Sequence, residues 1–344
     1  MSKTILVTGG AGFIGSNFIP YFMNKYPNYQ IVNMDSLTYA ADLENIKEVN
    51  VLDNYVLEQG DITNIDLVQT IFKKYKITDV IHFAAESHVD NSIKNPTAFA
   101  QTNIMGTLNL LDTARNYWME SPFKYKNEFK GSRFHHVSTD EVYGSLGETG
   151  YFTEESKYEP NSPYSASKAS SDLLVRSYYH TYGMNVVTTN CSNNYGPKQH
   201  DEKLIPTLIR KAIQGEYLPI YGNGMNIRDW LFVLDHCKAV DLVFHQGEKS
   251  EVYLVGGKNE KTNIQIADLI CDLLDKELPK EQSYRKQIKY VQDRPGHDYR
   301  YAIDASKLES RLGWIAEETF ESGIIKTVEW YIKKYIGKES SNES

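Results

Sequence analysis

Two short stretches carry residues whose types and spacing could do chemistry: Thr139-Asp140-Glu141 and Tyr164-Ser165-Ala166-Ser167-Lys168. A tyrosine and a lysine four positions apart meet on one face of a helix. Ser162-Pro163 just ahead reads as a helix start, a capping hydroxyl followed by proline at the first helical position. Tyr164 then falls in the first turn. The Lys168 ammonium and the positive end of the helix both predict a phenol pKa lowered toward neutrality. Such a phenol takes the proton from an alcohol while hydride leaves the same carbon. In a chain with 25 tyrosines the spacing alone is weak, so its setting must carry the weight.

The adjacent acids suit a second step. Oxidation of a sugar hydroxyl to a ketone acidifies the neighbouring C–H, and loss of water across the next bond then needs a base and an acid. Two carboxyls with different protonation states supply both, because proximity of like charges raises one pKa. Thr139 is placed to bond the oxygen being oxidised. Without the tyrosine, a water-facing acid pair would be the plainer reading.

Hydride needs an acceptor, and the N-terminus provides its loop. Gly9-Gly10-Ala11-Gly12-Phe13-Ile14-Gly15 follows an apolar run and opens a helical pattern. Gly9, Gly12 and Gly15 allow a tight turn, close approach to a pyrophosphate, and close helix–strand packing at a helix N-terminus. Asp35 comes 20 residues after Gly15, where an acid bonds ribose hydroxyls and disfavours a 2′-phosphate, so NAD is expected over NADP. Asp61 either holds the adenine amino group or caps a helix starting near Ile62.

These residues need elements to position them. Residues 5–8, 31–35, 55–59, 80–84, 134–138 and 186–190 read as buried strands alternating with helical patterns. The fold class expected is α/β: a Rossmann-type doubly wound parallel sheet with a smaller α/β substrate-binding domain. Residues 1–190 form the first unit, with a segment near 225–255 returning to it and residues 252–255 adding a strand. Residues 191–224 and 256–337 form the second, and 338–344 a polar, frayed tail. Pro20 interrupts the first helical pattern and predicts a kink or local distortion.

Bulk numbers close off other classes. With 41% apolar and 24% charged residues the chain is an ordinary globular one, and 344 residues exceed what one small core needs. A net charge of −8 argues against non-specific binding to nucleic acid or an anionic membrane. Cys191, Cys237 and Cys271 show neither disulfide nor metal spacing, which suits a reducing, cytoplasmic compartment and no metal. The first apolar run is too short for a signal peptide, and no stretch is long enough to span a bilayer.

Taken together, the motifs resemble the extended short-chain dehydrogenases/reductases, and within them the dTDP-glucose 4,6-dehydratases. The likeness runs through TGGAGFIGS, AAESHVD (84–90), STDEVYG (138–144), SPYSASKASSD (162–172), NCSNNYGP (190–197), EKLIP (202–206), NIRDW (226–230), NEKTN (259–263) and DRPGHD (293–298). STDE separates these enzymes from sugar epimerases. The resemblance implies NAD, a nucleotide-diphosphate sugar as substrate, and a homodimer paired through helices in 95–115 and 163–182. It implies that Tyr164 is the base at C4, Lys168 holds the nicotinamide ribose, Glu141 takes the C5 proton and Asp140 protonates the departing C6 hydroxyl.

Around the cofactor it implies Phe13, Ile14, Ser36, Leu37, Thr38, Ile62, Phe83, Ala84, Ala85, Ser87, Thr102 and Asn194. Ser87, Thr139 and His88 would reach the sugar. The nucleotide would fall to Asn193, Lys203, Leu204, Pro219, Ile220, Tyr221, Arg228, Asn263, Arg294 and His297, with the two arginines suited to a diphosphate. The chain departs from the family at Ala41-Asp42, which bears on the adenosine loop, and at Lys198, His200 and Asp201. Two alternatives stay open: another NAD-dependent nucleotide-sugar dehydratase or 4-epimerase, or an NAD-binding sensor without catalysis.

Overall fold

The computed structural model describes residues 3–339, so the expected frayed tail at 338–344 lies almost wholly outside the described residues. Strands β1 (Thr4–Thr8), β2 (Gln30–Asp35), β3 (Tyr55–Gln59) and β4 (Asp79–His82) alternate with helices α1 (Phe13–Lys25) and α2 (Ile65–Tyr75). Two short helices follow, α3 (Val89–Lys94) and α4 (Pro96–Phe99), then a π-helical turn at Ala100–Gly106 and helix α5 (Thr107–Trp118). A small hairpin, β5 (Met119–Ser121) and β6 (Lys124–Tyr125), leads to β7 (Phe134–Thr139), α6 (Pro163–Tyr182) and β8 (Val186–Cys191).

The remainder contains β9 (Asn193–Tyr195), α7 (Leu204–Ile213), β10 (Leu218–Tyr221), β11 (Ile227–Phe232) and α8 (Val233–Gln246). It ends with β12 (Val252–Val255), β13 (Glu260–Thr262), α9 (Asn263–Glu277), β14 (Ile288–Val291), α10 (Ser306–Leu312) and α11 (Phe320–Glu339).

Seven of these strands form one parallel sheet in the order β12-β8-β7-β4-β1-β2-β3. Such strands are buried on both faces, which is why they read as continuous apolar runs. Alternation still sorts their side chains. Leu6 points into a core with Phe72, Leu110 and Trp118, and Ile5 and Val7 into another with Phe18, Phe22 and Val240. Chain order reverses between β1 and β4, which opens a crevice at their carboxyl ends, where ligands of doubly wound sheets bind.

Of the segment near 225–255, α8 packs against α1 and β12 pairs with β8, whereas β11 joins β9 and β13 in a separate three-stranded sheet. The second core gathers Ile205, Leu208, Ile220, Ile270 and Phe320 from α7, β10, α9 and α11.

Helix α1 runs through Pro20 without a break, so the disturbance expected there takes another form. Proline has no N–H, and the Ser16 carbonyl one turn earlier loses its helical donor. The Lys198 Nζ replaces it at 2.9 Å. The helix expected near Ile62 begins at Ile65 and is capped by Asn64, because Asp61 instead turns the preceding chain by accepting from the Thr63 N–H at 2.8 Å.

Candidate active site

The glycine loop joins β1 to α1 in a shape that other residues would obstruct. Gly9 has φ +74°, and a Cβ there would sit 2.7 Å from the Ala84 backbone. At Gly15 a Cβ would lie 2.4 Å from the Gly9 carbonyl oxygen. Helix α1 starts at Gly12 with no side-chain cap and no acid in its first turn, so its leading N–H groups are left for a ligand. That is the donor set a pyrophosphate needs.

Asp35 ends β2 with both carboxylate oxygens engaged. One accepts from the Ala11 N–H at 2.9 Å and the other from the Leu37 N–H at 2.8 Å. The same side chain thus shapes the glycine loop and its own turn, in which Leu37 takes φ +53°. Each oxygen keeps a second lone pair for ribose hydroxyls. Burial raises the Asp35 pKa, and the two amides oppose it.

A cavity of about 320 Å³ runs from this loop along the carboxyl edge of the sheet. Of the residues expected at the cofactor, Gly9, Gly12, Phe13, Ile14, Gly15, Asp35, Ser36 and Thr38 line it, as do Asp61, Ile62, Phe83, Ala84 and Ala85. Ser87, Thr102, Tyr164, Lys168 and Asn194 line it as well; Leu37 does not. Thr102 arrives on the π-helical turn, where Asn103 braces the site by accepting from the Glu86 N–H at 2.9 Å and donating to the Ser167 hydroxyl at 2.8 Å.

Helix α6 begins as expected. Ser162 and Ser165 form a reciprocal capping box, each side chain bonded to the other's backbone N–H at 3.0 Å, with Pro163 in the first turn. The charge prediction for Tyr164 is corrected. Its pKa is raised well above the ordinary value, by burial first and then by the Glu141 and Cys191 side chains. The Thr139 hydroxyl opposes this, while Lys168 is engaged elsewhere. Its ammonium donates to the Val137 carbonyl at 2.9 Å, and burial lowers its own pKa against the attraction of Asp172. Asp172 in turn lies 3.1 Å from His136.

The two acids differ in their surroundings. Asp140 is 1% exposed, and burial, Glu141 and Asp229 push its pKa well up. Glu141 lines the cavity with Thr139 and Tyr164. Burial raises its pKa too, but Arg294, Lys203 and Arg228 oppose the rise. Both carboxyls are thus shifted toward the protonated form, but only Glu141 has cations that oppose the shift, so it gives up its proton more readily than Asp140.

Asn193, Lys203 and Ser87 share the cavity; the other residues expected at the substrate do not line it, Thr139 apart. Arg294 and Tyr221 both bond Asp90 at 3.3 Å, and His297 bonds Asp293 at 2.6 Å with its ring perpendicular to that of Tyr221, so these residues form a group linked to the cavity through the charge of Arg294 on Glu141. Arg228 is 5% exposed and spends its terminal nitrogens on the carbonyls of Ile227, Asp298 and Tyr299. Its expected fork toward a diphosphate is therefore engaged. Ile220 is buried in the second core, which leaves no side-chain surface for a ligand. Pro219 lies beside it in β10. Leu204 and Asn263 open α7 and α9. His88 lies 3.9 Å from Glu202.

Sequence reasoning missed Val137, Ser138, Cys191, Ser192, Gln199, His200 and Glu202, all of which line the cavity. Four of them end strands β7 and β8 or follow directly, so the rule that ligands sit at strand carboxyl ends could have found them. Gln199, His200 and Glu202 come from a loop whose path follows no periodicity.

Among the described residues no group of three or more His, Cys, Asp or Glu side chains could hold a metal, and no helix is long and apolar enough to cross a membrane. The family model described as GDP-mannose 4,6 dehydratase matches residues 6–327. A relative named dTDP-glucose 4,6-dehydratase 1, from Escherichia coli (strain K12), is 54% identical over 95% of this chain and 92% of its own length. The crystal structure of dTDP-glucose 4,6-dehydratase from Bacillus anthracis str. Ames in complex with NAD is 45% identical, with TM-score 0.85 over 97% of this chain and 98% of that one. DesIV from Streptomyces venezuelae, a dTDP-glucose 4,6-dehydratase crystallised with NAD and TYD, is 40% identical with TM-score 0.87, covering 97% and 98%. With its glycine loop, its Tyr-Lys pair and its paired acids at one sheet edge, this chain belongs to the dTDP-glucose 4,6-dehydratase family of extended short-chain dehydrogenases/reductases.

Proposed function

We propose that the protein is an NAD-dependent hydro-lyase converting dTDP-glucose into dTDP-4-keto-6-deoxyglucose and water, a step toward deoxysugars such as dTDP-rhamnose. The observation that carries this reading is one cavity edge holding Thr139, Glu141, Tyr164 and Lys168, with a second, buried carboxyl alongside. Bound NAD supplies the acceptor for the C4 hydride, its return to C6, and a positive charge that favours phenolate at Tyr164.

Tyr164 removes the proton of the C4 hydroxyl, and Thr139 holds that oxygen. Lys168 has donors left after Val137 and anchors the nicotinamide ribose. Glu141, whose burial-raised pKa three cations pull back, takes the C5 proton of the 4-ketone in its carboxylate form. Asp140, kept neutral by burial, gives its proton to the C6 hydroxyl as water leaves. A proton then returns to C5 and hydride to C6, so the sugar loses one water with no net redox change.

Ser87, Lys203 and Asn193 face the sugar and its diphosphate from the cavity wall. The group Tyr221, Arg294 and His297, with Leu204, Pro219 and Asn263 nearby in the second lobe, receives the nucleotide. Arg228 acts on Glu141 as a buried positive charge. Residues 1–190 with the returning stretch carry the cofactor, and the second lobe the nucleotide sugar.

The chain pairs as a homodimer through α5 and α6 and the turn that precedes α5, whose outer faces leave Met105 and Leu173 about half exposed, at 49% and 57%. It works in the cytoplasm, where its three buried, unbridged cysteines stay reduced.

The test is incubation with dTDP-glucose in deuterated water, followed by mass spectrometry and an alkaline assay for the 4-keto sugar. The expected product has lost one water and carries one solvent deuterium at C5. Turnover of a UDP-sugar with none of dTDP-glucose would overturn the assignment.

A further inference from the structure

The carbonyl that Pro20 leaves open is filled by a residue far away in the chain, from the loop after β9. Lys198 Nζ donates to the Ser16 carbonyl at 2.9 Å and to the Asn45 carbonyl at 2.7 Å. Its backbone is held in the left-handed region, at φ +72°, and the preceding Pro197 carbonyl accepts from Asn17 Nδ2 on α1 at 3.0 Å. Among the described residues no carboxylate oxygen lies within ion-pair distance of this ammonium, so its firm partners are backbone carbonyls. A half-buried cation used in this way connects three pieces of chain: α1, the turn Leu43–Ile46, and the loop after β9.

What these pieces surround gives the contact its meaning. Thr38, Ala40 and Ala41 line the cavity on the side of Asp35 and Asp61. The stretch carrying them is also tied by the Asp42 N–H on the Ala11 carbonyl at 3.2 Å and, through the Tyr39 hydroxyl, to Asn91 at 3.2 Å and Glu202 at 3.5 Å. From the opposite bank Gln199, His200 and Glu202 line the same cavity, and the His200 ring meets Tyr39 edge-on at 5.4 Å. Lys198 therefore stands at the join of the two banks.

We propose that Lys198 is a positioning residue for the cofactor, a cationic staple between the Pro20 gap in α1 and the Asn45 turn that holds the wall formed by Thr38, Ala40 and Ala41 against the dinucleotide. The inference rests on the reading of this cavity as the NAD site. Here Pro20 and Lys198 act as one device: the proline frees an acceptor in a helix, and the lysine uses it as an anchor.

The test compares Lys198→Met, Lys198→Arg, Pro20→Ala and the double variant Pro20→Ala/Lys198→Met. Each is measured for amide hydrogen exchange at residues 38–50 without NAD, thermal stability, and NAD affinity by calorimetry. Lys198→Met is expected to speed exchange at 38–50 and weaken NAD about tenfold, the scale of one charge-assisted hydrogen bond. Lys198→Arg, which keeps a cation with several donors, restores both. In the double variant the backbone N–H regained at position 20 serves the Ser16 carbonyl, so thermal stability recovers while fast exchange and weak NAD binding persist.

Unchanged NAD affinity in Lys198→Met, or recovery of affinity together with stability in the double variant, would reduce Lys198 to a plug for a helix defect and overturn the proposal. If the parent bound no NAD, the cofactor reading would fail instead. Exchange at 38–50 in the NAD-free variants would then still report on the staple.

Discussion

Asp140 and Glu141 are adjacent in the chain, yet the first is sealed from solvent and the second lines a cavity beside three cations. Their roles should therefore separate under mutation. Glu141→Gln keeps the shape and removes the base; oxidation at C4 should persist while dehydration slows by about 10²- to 10⁴-fold, read by rapid-quench mass analysis of the sugar. Asp140→Asn should also slow water loss, but its effect on stability has a distinctive pH dependence. A buried carboxyl whose folded pKa is raised holds its proton more tightly than in the unfolded chain, so it costs stability as pH rises from the ordinary aspartate range through the folded pKa. The asparagine variant should gain in melting temperature over the parent at about pH 8 and show little gain at about pH 4. An equal difference at both would mean that Asp140 is not held protonated. Tyr164 belongs at this scale too, since burial beside Glu141 and Cys191 raises its pKa against the Thr139 hydroxyl.

At the scale of elements, the start of α6 matters most, because its first turn carries the tyrosine. Ser162→Ala removes the cap bond to the Ser165 N–H and should cost about 1 kcal/mol in urea denaturation. It should also lower kcat, since the loosened turn is the one that aims Tyr164. An unchanged kcat would show that packing alone holds the tyrosine. Ser162-Pro163 was legible in the sequence because cap chemistry is local. The π-helical turn at Ala100–Gly106 was not: its Asn103 reaches Glu86 and Ser167, partners far away in the chain. The defect at Pro20 was legible as a defect, whereas its repair by Lys198 was not.

For the molecule as a whole, exposed Leu173 and Met105 mark the face through which two copies are proposed to pair. Light scattering should report a dimer, and Leu173→Glu should shift it toward monomer by placing a charge in a dry interface; a monomeric parent would refute the pairing. The fold and most of the lining of the cavity proposed for the cofactor could be read without coordinates, because β-strand runs, the glycine loop, Asp35 and the Tyr-Lys helix are encoded by neighbours a few residues apart. Chemistry that depends on local spacing was thus determined by the sequence itself. The protonation of Tyr164, the different surroundings of Asp140 and Glu141, and the engagement of Arg228 by carbonyls were decided only in three dimensions. The physical reason is that desolvation and Coulomb forces depend on which distant segments close around a group, and no spacing along the chain specifies that enclosure.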